Sequence, residues 1–146
     1  MAAPRFATWE AAGRDAGRAM PGARALMALI LLIWGGRGAQ SWGIYNFRPT
    51  ALGNPSAHGE GRALDVGCSI RIGRLIVRRL LRYGPAKLGI CAIIHNRVIY
   101  SAKSPNGRRY DGVPHLDHVH IEMTRRAARD LTLAKAKRVL GYRRAA

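Results

Sequence analysis

Acidic residues and cysteines are scarce in this chain. Only eight Asp and Glu stand against 25 Lys and Arg among 146 residues, a formal net charge of +17. That imbalance lies far outside the ordinary range of intracellular enzymes and points to a polyanionic partner. Nucleic acid, an anionic membrane surface and an anionic cell envelope all satisfy it, because net charge reports on encounter and not on chemistry. Two cysteines, Cys68 and Cys91, are too few for a disulfide framework and do not form the CxxC pairs of a structural zinc site. They read as core thiols, since free cysteine buries readily. The apolar run at 25–34, ALMALILLIW, is too short to span a bilayer. It imitates the hydrophobic region of a signal peptide, but it starts well inside the chain and the following GGRGAQ is a poor cleavage site, so a buried helix is expected.

What is present suits one globular domain, with 48% hydrophobic residues and a length that buries roughly two-thirds of the unfolded surface. Residues 1–22 are rich in Ala, Gly and Arg without a sustained period and read as a loosely ordered basic leader to a single domain at 23–146. Within the domain, a helix over 23–34 stops at Gly35 and Gly36, and an irregular segment runs over 43–55. A short strand follows at 63–66, then a helix over 70–83 ended by Gly84 and Pro85, then a hairpin of 88–95 and 98–101 turning at Asn96 and Arg97. Residues 102–114 read as loop, 116–123 as a last strand and 125–140 as one basic amphipathic helix. No segment repeats, and strands mix with helices without the alternation a parallel sheet requires. The expected class is α+β, a small antiparallel sheet flanked by helices.

Four of the five histidines fall in two short windows, SAHGEGRALD at 56–65 and HLDHVHIE at 115–122. Three imidazoles within six residues of a strand would bury several polar rings without evident partners if they were structural. A catalytic zinc site instead takes three protein ligands from His, Asp, Glu and Cys and leaves a fourth position open, a set these windows can supply. His118 and His120, two apart on a strand, share one face. Gly59 and Gly61 let the backbone bend, so that His58 and Asp65 could converge on one ion.

Ser56, His58, Gly61, Ala63 and Asp65 fit an SxHxxGxAxD pattern, and with the HVH segment the chain resembles the D-Ala-D-Ala carboxypeptidase family of zinc peptidases. That group includes phage endolysin peptidases and, more distantly, lysostaphin-type enzymes and the hedgehog fold. The resemblance covers roughly residues 44–123. It implies zinc held by His58, Asp65 and His120, with a water in the fourth position attacking a peptide bond of the peptidoglycan stem or cross-bridge. Many members carry a glutamate as general base three residues before the last ligand; here Asp117 stands there. Relatives with an HxH signature place further histidines near the metal, which makes His118, helped by His115, a candidate to orient the water or stabilise the oxyanion. On a regular strand Asp117 faces away from His118 and His120, serving as base only if the backbone bulges and otherwise orienting its neighbour. His118 and Asp117 therefore both stand as candidates for the base.

The resemblance also suggests that Arg48 grips a substrate carboxylate, a task suited to a bidentate guanidinium. The Ser56 hydroxyl can bond substrate or a neighbouring backbone group. Anionic cell-wall polymers would account for the charge, and the implied protein is a monomer without a transmembrane segment, acting at the cell wall as a secreted enzyme or released phage lysin. Two other functions compete. A zinc-containing envelope-binding module without catalysis could use the same fold. An HNH-type nuclease would begin with Asp117-His118-Val119, but it needs a further Asn and His, and neither occurs after His120. No specific nucleic-acid partner is therefore expected.

Overall fold

The computed structural model describes residues 2–47, 49 and 53–143. Helix α1 spans Pro21–Trp34, with the proline at the first turn, where its missing N–H costs nothing. The expected strand and second helix follow as β2 (Ala63–Gly67) and α2 (Ile70–Tyr83). The Ser69 side chain caps α2 by accepting from the Ile72 N–H, and Gly84, at φ 88, ends it. Strands β3 (Ile90–His95) and β4 (Val98–Ser101) form the expected hairpin. Its turn residues Asn96 and Arg97 both have positive φ, as the twist of a two-residue hairpin turn demands.

Two edge strands were not legible. Strand β1 (Gln40–Gly43) pairs with β2, and β5 (Ser104–Arg109) pairs with β4 inside the stretch read as loop. Both are largely exposed and polar, so neither shows an apolar alternation; backbone pairing to a neighbour makes them strands. With β6 (His118–Met123) the sheet runs β1-β2-β6-β3-β4-β5, antiparallel throughout. The architecture is α+β, with a six-stranded antiparallel sheet and four α-helices among the described residues.

The C-terminal helix is two helices, α3 (Arg125–Asp130) and α4 (Leu133–Val139). Leu131 turns into the core with extended backbone, and the Thr132 hydroxyl accepts the Lys135 N–H to start α4 afresh. Periodicity ran across this break because both pieces present apolar residues to the same core.

Alternation along the central strands divides the sheet into two faces. Leu64, Val66, Ile93, Val119, Ile121 and Met123 join α1 and α2 in one core. A fully buried Leu or Ile of this layer contributes roughly 1.5–3 kcal/mol. Asp65, His118, His120 and Glu122 occupy the opposite face.

Residues 2–20, expected as a loosely ordered leader, contain no helix or strand but are tied along the domain. Ala7 donates to the Ile90 carbonyl, Ala16 to Gly59 and Met20 to Gly61, while Ala86 donates back to Arg5. The Glu10 carboxylate accepts the Arg125 N–H at 2.9 Å at the start of α3. Beneath this strap lies a buried ion network. Arg62, 1% exposed, donates to Glu60, to the Met123 carbonyl and to the Glu10 carbonyl, and Arg125 donates to Glu60 at 2.6 and 3.0 Å. No described helix is long and apolar enough to cross a membrane.

Candidate metal centre

His58 stands on a tight loop rather than on a strand. The Ser56 hydroxyl accepts the His58 N–H at 3.2 Å, the Ser56 carbonyl accepts Gly59, and the His58 carbonyl accepts both Gly61 and Asn46. Gly61 adopts φ 65, and a Cβ there would lie 2.0 Å from the Arg18 carbonyl oxygen, so glycine is required for both torsion and space. The His58 ring is aimed by its Nδ1–H, which donates to the Ile44 carbonyl at 2.8 Å and turns Nε2 toward the sheet.

There it meets the two central strands. Asp65 of β2 and His120 of β6 are direct cross-strand partners. His58 Nε2 lies 3.1 Å from Asp65 Oδ2 and 3.3 Å from His120 Nδ1, and His120 Nδ1 lies 2.9 Å from Asp65 Oδ1. A tetrahedral ion bonded at about 2.0–2.1 Å separates its ligand atoms by about 3.3 Å, so the three side chains already hold near-ligand spacing. Among the described residues this His-Asp-His group could hold a metal ion.

Its electrostatics favour a positive charge at this point. Burial opposes ionisation of Asp65, but hydrogen bonds from His120 and His58 hold its carboxyl far below the usual carboxylate range. Burial likewise disfavours a charged His120, yet Asp65 on one nitrogen and Glu122 on the other push it up to about 9. Two carboxylates thus flank one imidazole, which carries a proton where a metal would otherwise supply the charge.

Of the sequence candidates, Ser56, His58, Asp65, His115, His118 and His120 line one cleft of 710 Å³. His118 Nε2 points at Asp65 Oδ1 from 3.7 Å, while its Nδ1 donates to Asp117 Oδ1 at 2.8 Å. Asp117 itself is 73% exposed and lies behind His118, outside the cleft lining, with its carboxyl held below the ordinary value by that hydrogen bond. It is placed to orient His118. His115 adopts φ 50 and donates from Nδ1 to the Val113 carbonyl. Its ring centroid lies 4.6 Å from that of His118, and burial, then the charge of His120, lowers its pKa to about 4. The Ser56 hydroxyl serves its own turn. Arg48 lies outside the described residues.

Two contributors went unread. Glu122 accepts from His120 Nε2 at 3.1 Å and fixes which nitrogen faces Asp65. Burial opposes its ionisation, but bonds from His120 and the Trp9 indole, with the charge of Arg62, hold its carboxyl below the ordinary value. Strand parity could have found Glu122, two residues after His120. Nothing local could have found Trp9, which the strap brings to the cleft wall. Cys68 and Cys91 are unpaired and buried, their thiols pushed by burial up to about 11 and about 12. Comparison with protein-family models, curated proteins and solved structures finds no match to this chain.

Proposed function

We propose that this protein is a zinc-dependent peptidase that hydrolyses peptide bonds of bacterial peptidoglycan, trimming a terminal D-alanine or cutting within the stem or cross-bridge. The observation that carries the reading is the convergence of His58 Nε2, the Asp65 carboxylate and His120 Nδ1 at ligand spacing in an open cleft beside a third, oriented histidine, His118. Nitrogen and oxygen donors of this kind, three in number, suit zinc in a hydrolytic site.

When bound, zinc supplies Lewis acidity that polarises the peptide carbonyl and activates water for attack. The chain's own residues do the rest. Asp117 keeps the His118 proton on Nδ1, so Nε2 faces the cleft as an acceptor able to take a proton from water and return it to the leaving amine. Neutral His115, its Nδ1–H spent on Val113, closes the same side of the cleft. His58 and His120 are held rigid by Ile44 and Glu122, which preserves the donor geometry. In this reading the basic surface draws the enzyme to an anionic envelope, an attraction that weakens with salt.

The test is metal content measured on the same preparation that is assayed on purified peptidoglycan, wild type beside His120→Ala. One zinc per chain with released peptides or D-alanine, both lost in the variant, is the expected result. Zinc without cleavage would instead identify a binding module, metal-dependent nicking of DNA a nuclease, and absence of zinc would refute the proposal.

A further inference from the structure

Helix α2 carries five arginines, at 71, 74, 78, 79 and 82, and no acidic residue. Arg79 is used internally, donating to the Leu140 carbonyl. Arg74, Arg78 and Arg82 are exposed on one face, one helical turn apart, and span about 12 Å. None of the three has a hydrogen bond or ion pair among the described residues; Arg82 only stacks on Tyr83. All three line a 970 Å³ groove whose far wall is built by β3, β4, β5 and the β3–β4 turn, including Asn96, Tyr100 and Asn106. No acidic side chain lines it.

The eight carboxylates of the chain are all engaged elsewhere. Glu10 and Glu60 bond Arg125, Asp15 bonds Tyr45, Asp111 bonds Arg109 and Asp130 bonds Arg129, while Asp65, Asp117 and Glu122 bond the cleft histidines. The groove arginines therefore have no carboxylate partner among the described residues. The groove also lies on the helix-covered side of the sheet, whereas the metal cleft opens on the other side.

We infer that this groove is a docking site for a flexible phosphodiester polymer of small polyols, the anionic polymer class carried by cell walls, and that it is separate from the metal cleft. This identification of the partner rests on the peptidase reading above; the groove itself does not. Guanidinium groups one turn apart match a repeating phosphate, and their forked donors suit its oxygens. A nucleic acid fits less well. Among the described lining residues the rings are Tyr100 and His95, and His95 is only 4% exposed, so successive bases find no run of stacking platforms. A membrane surface fits less well again, because the exposed Trp9, Trp42 and Val113 gather around the metal cleft and not here.

The experiment measures binding of a fluorescent glycerol-phosphate oligomer by anisotropy across a salt series. It compares the wild type, the triple variant Arg74→Ala, Arg78→Ala, Arg82→Ala, and a charge-matched control, Arg24→Ala, Arg37→Ala, Lys135→Ala. Three lost phosphate contacts should weaken binding and reduce the slope of log K against log salt by about two to three, with the control shifting it by less than one. Equal weakening in both variants would overturn the groove as the site. Tighter binding of a single-stranded DNA oligomer of equal charge would overturn the polyol-phosphate assignment. Circular dichroism confirms folding, which exposed arginine-to-alanine changes in a helix preserve. His120→Ala is measured too: it should keep full polymer binding while losing cleavage, so failure of the peptidase reading and failure of this one are seen separately.

Discussion

Asp65 and His120 face each other across the two central strands, with carboxylate oxygen and imidazole nitrogen 2.9 Å apart. The pairing makes the carboxylate and one imidazole of the candidate metal group a property of strand register, and a slip of β6 by one residue would send His120 into the helix-packed core and away from Asp65. His58 reaches the same point from a loop and is the donor whose placement depends on turn chemistry.

Glu122 holds His120 from its far side, so Glu122→Gln should retain a hydrogen-bond partner but lose the charge. Metal affinity is expected to fall about 10–100-fold, read by competition with a chromogenic chelator. Unchanged affinity would remove Glu122 from the site.

The roles of His118 and Asp117 separate kinetically. His118→Ala should lower kcat on a peptidoglycan substrate by about 10²–10⁴-fold if it transfers the proton. Asp117→Asn, which only disturbs the orientation of that ring, should cost about tenfold. Equal losses, or a larger loss for Asp117, would reverse the assignment.

Gly61 should not accept a side chain. In Gly61→Ala the positive φ and the clash with the Arg18 carbonyl predict a loss of about 1–3 kcal/mol in urea unfolding, with weakened metal binding as His58 shifts. Full stability would mean the loop relaxes without moving the strap.

Arg62→Met leaves Glu60 buried with one fewer partner and should destabilise the fold by about 3–5 kcal/mol in the same assay. The network also sets a pH dependence. Burial opposes ionisation of Glu60, but Arg125 and Arg62 hold its folded pKa below the ordinary 4.5. Its contribution is therefore fully present above about pH 4.5 and is lost as pH falls through the folded value. Urea midpoints of the wild type should drop over that acidic window, and the drop should shrink in Glu60→Gln.

The candidate metal group and much of the frame were legible in residue type and spacing. His58, Asp65 and His120 stood out by residue type and spacing, the face shared by His118 and His120 followed from a period of two, and α2 runs over the expected 70–83 because its apolar stripe, Ser69 cap and Gly84-Pro85 stop are local signals. Tertiary structure decided what local signals do not carry. Strands β1 and β5 exist through pairing with a neighbour, the break at Leu131 and Thr132 answers to the core, and Asp117 became the support of His118 because the backbone entering β6 turned its carboxylate outward. The strap of residues 2–20 shows the same logic. Its sequence has no period and little to bury, yet Trp9 and Glu10 reach Glu122 and Arg125, because a chain without secondary structure of its own is placed by the hydrogen bonds and ion pairs that distant residues offer it.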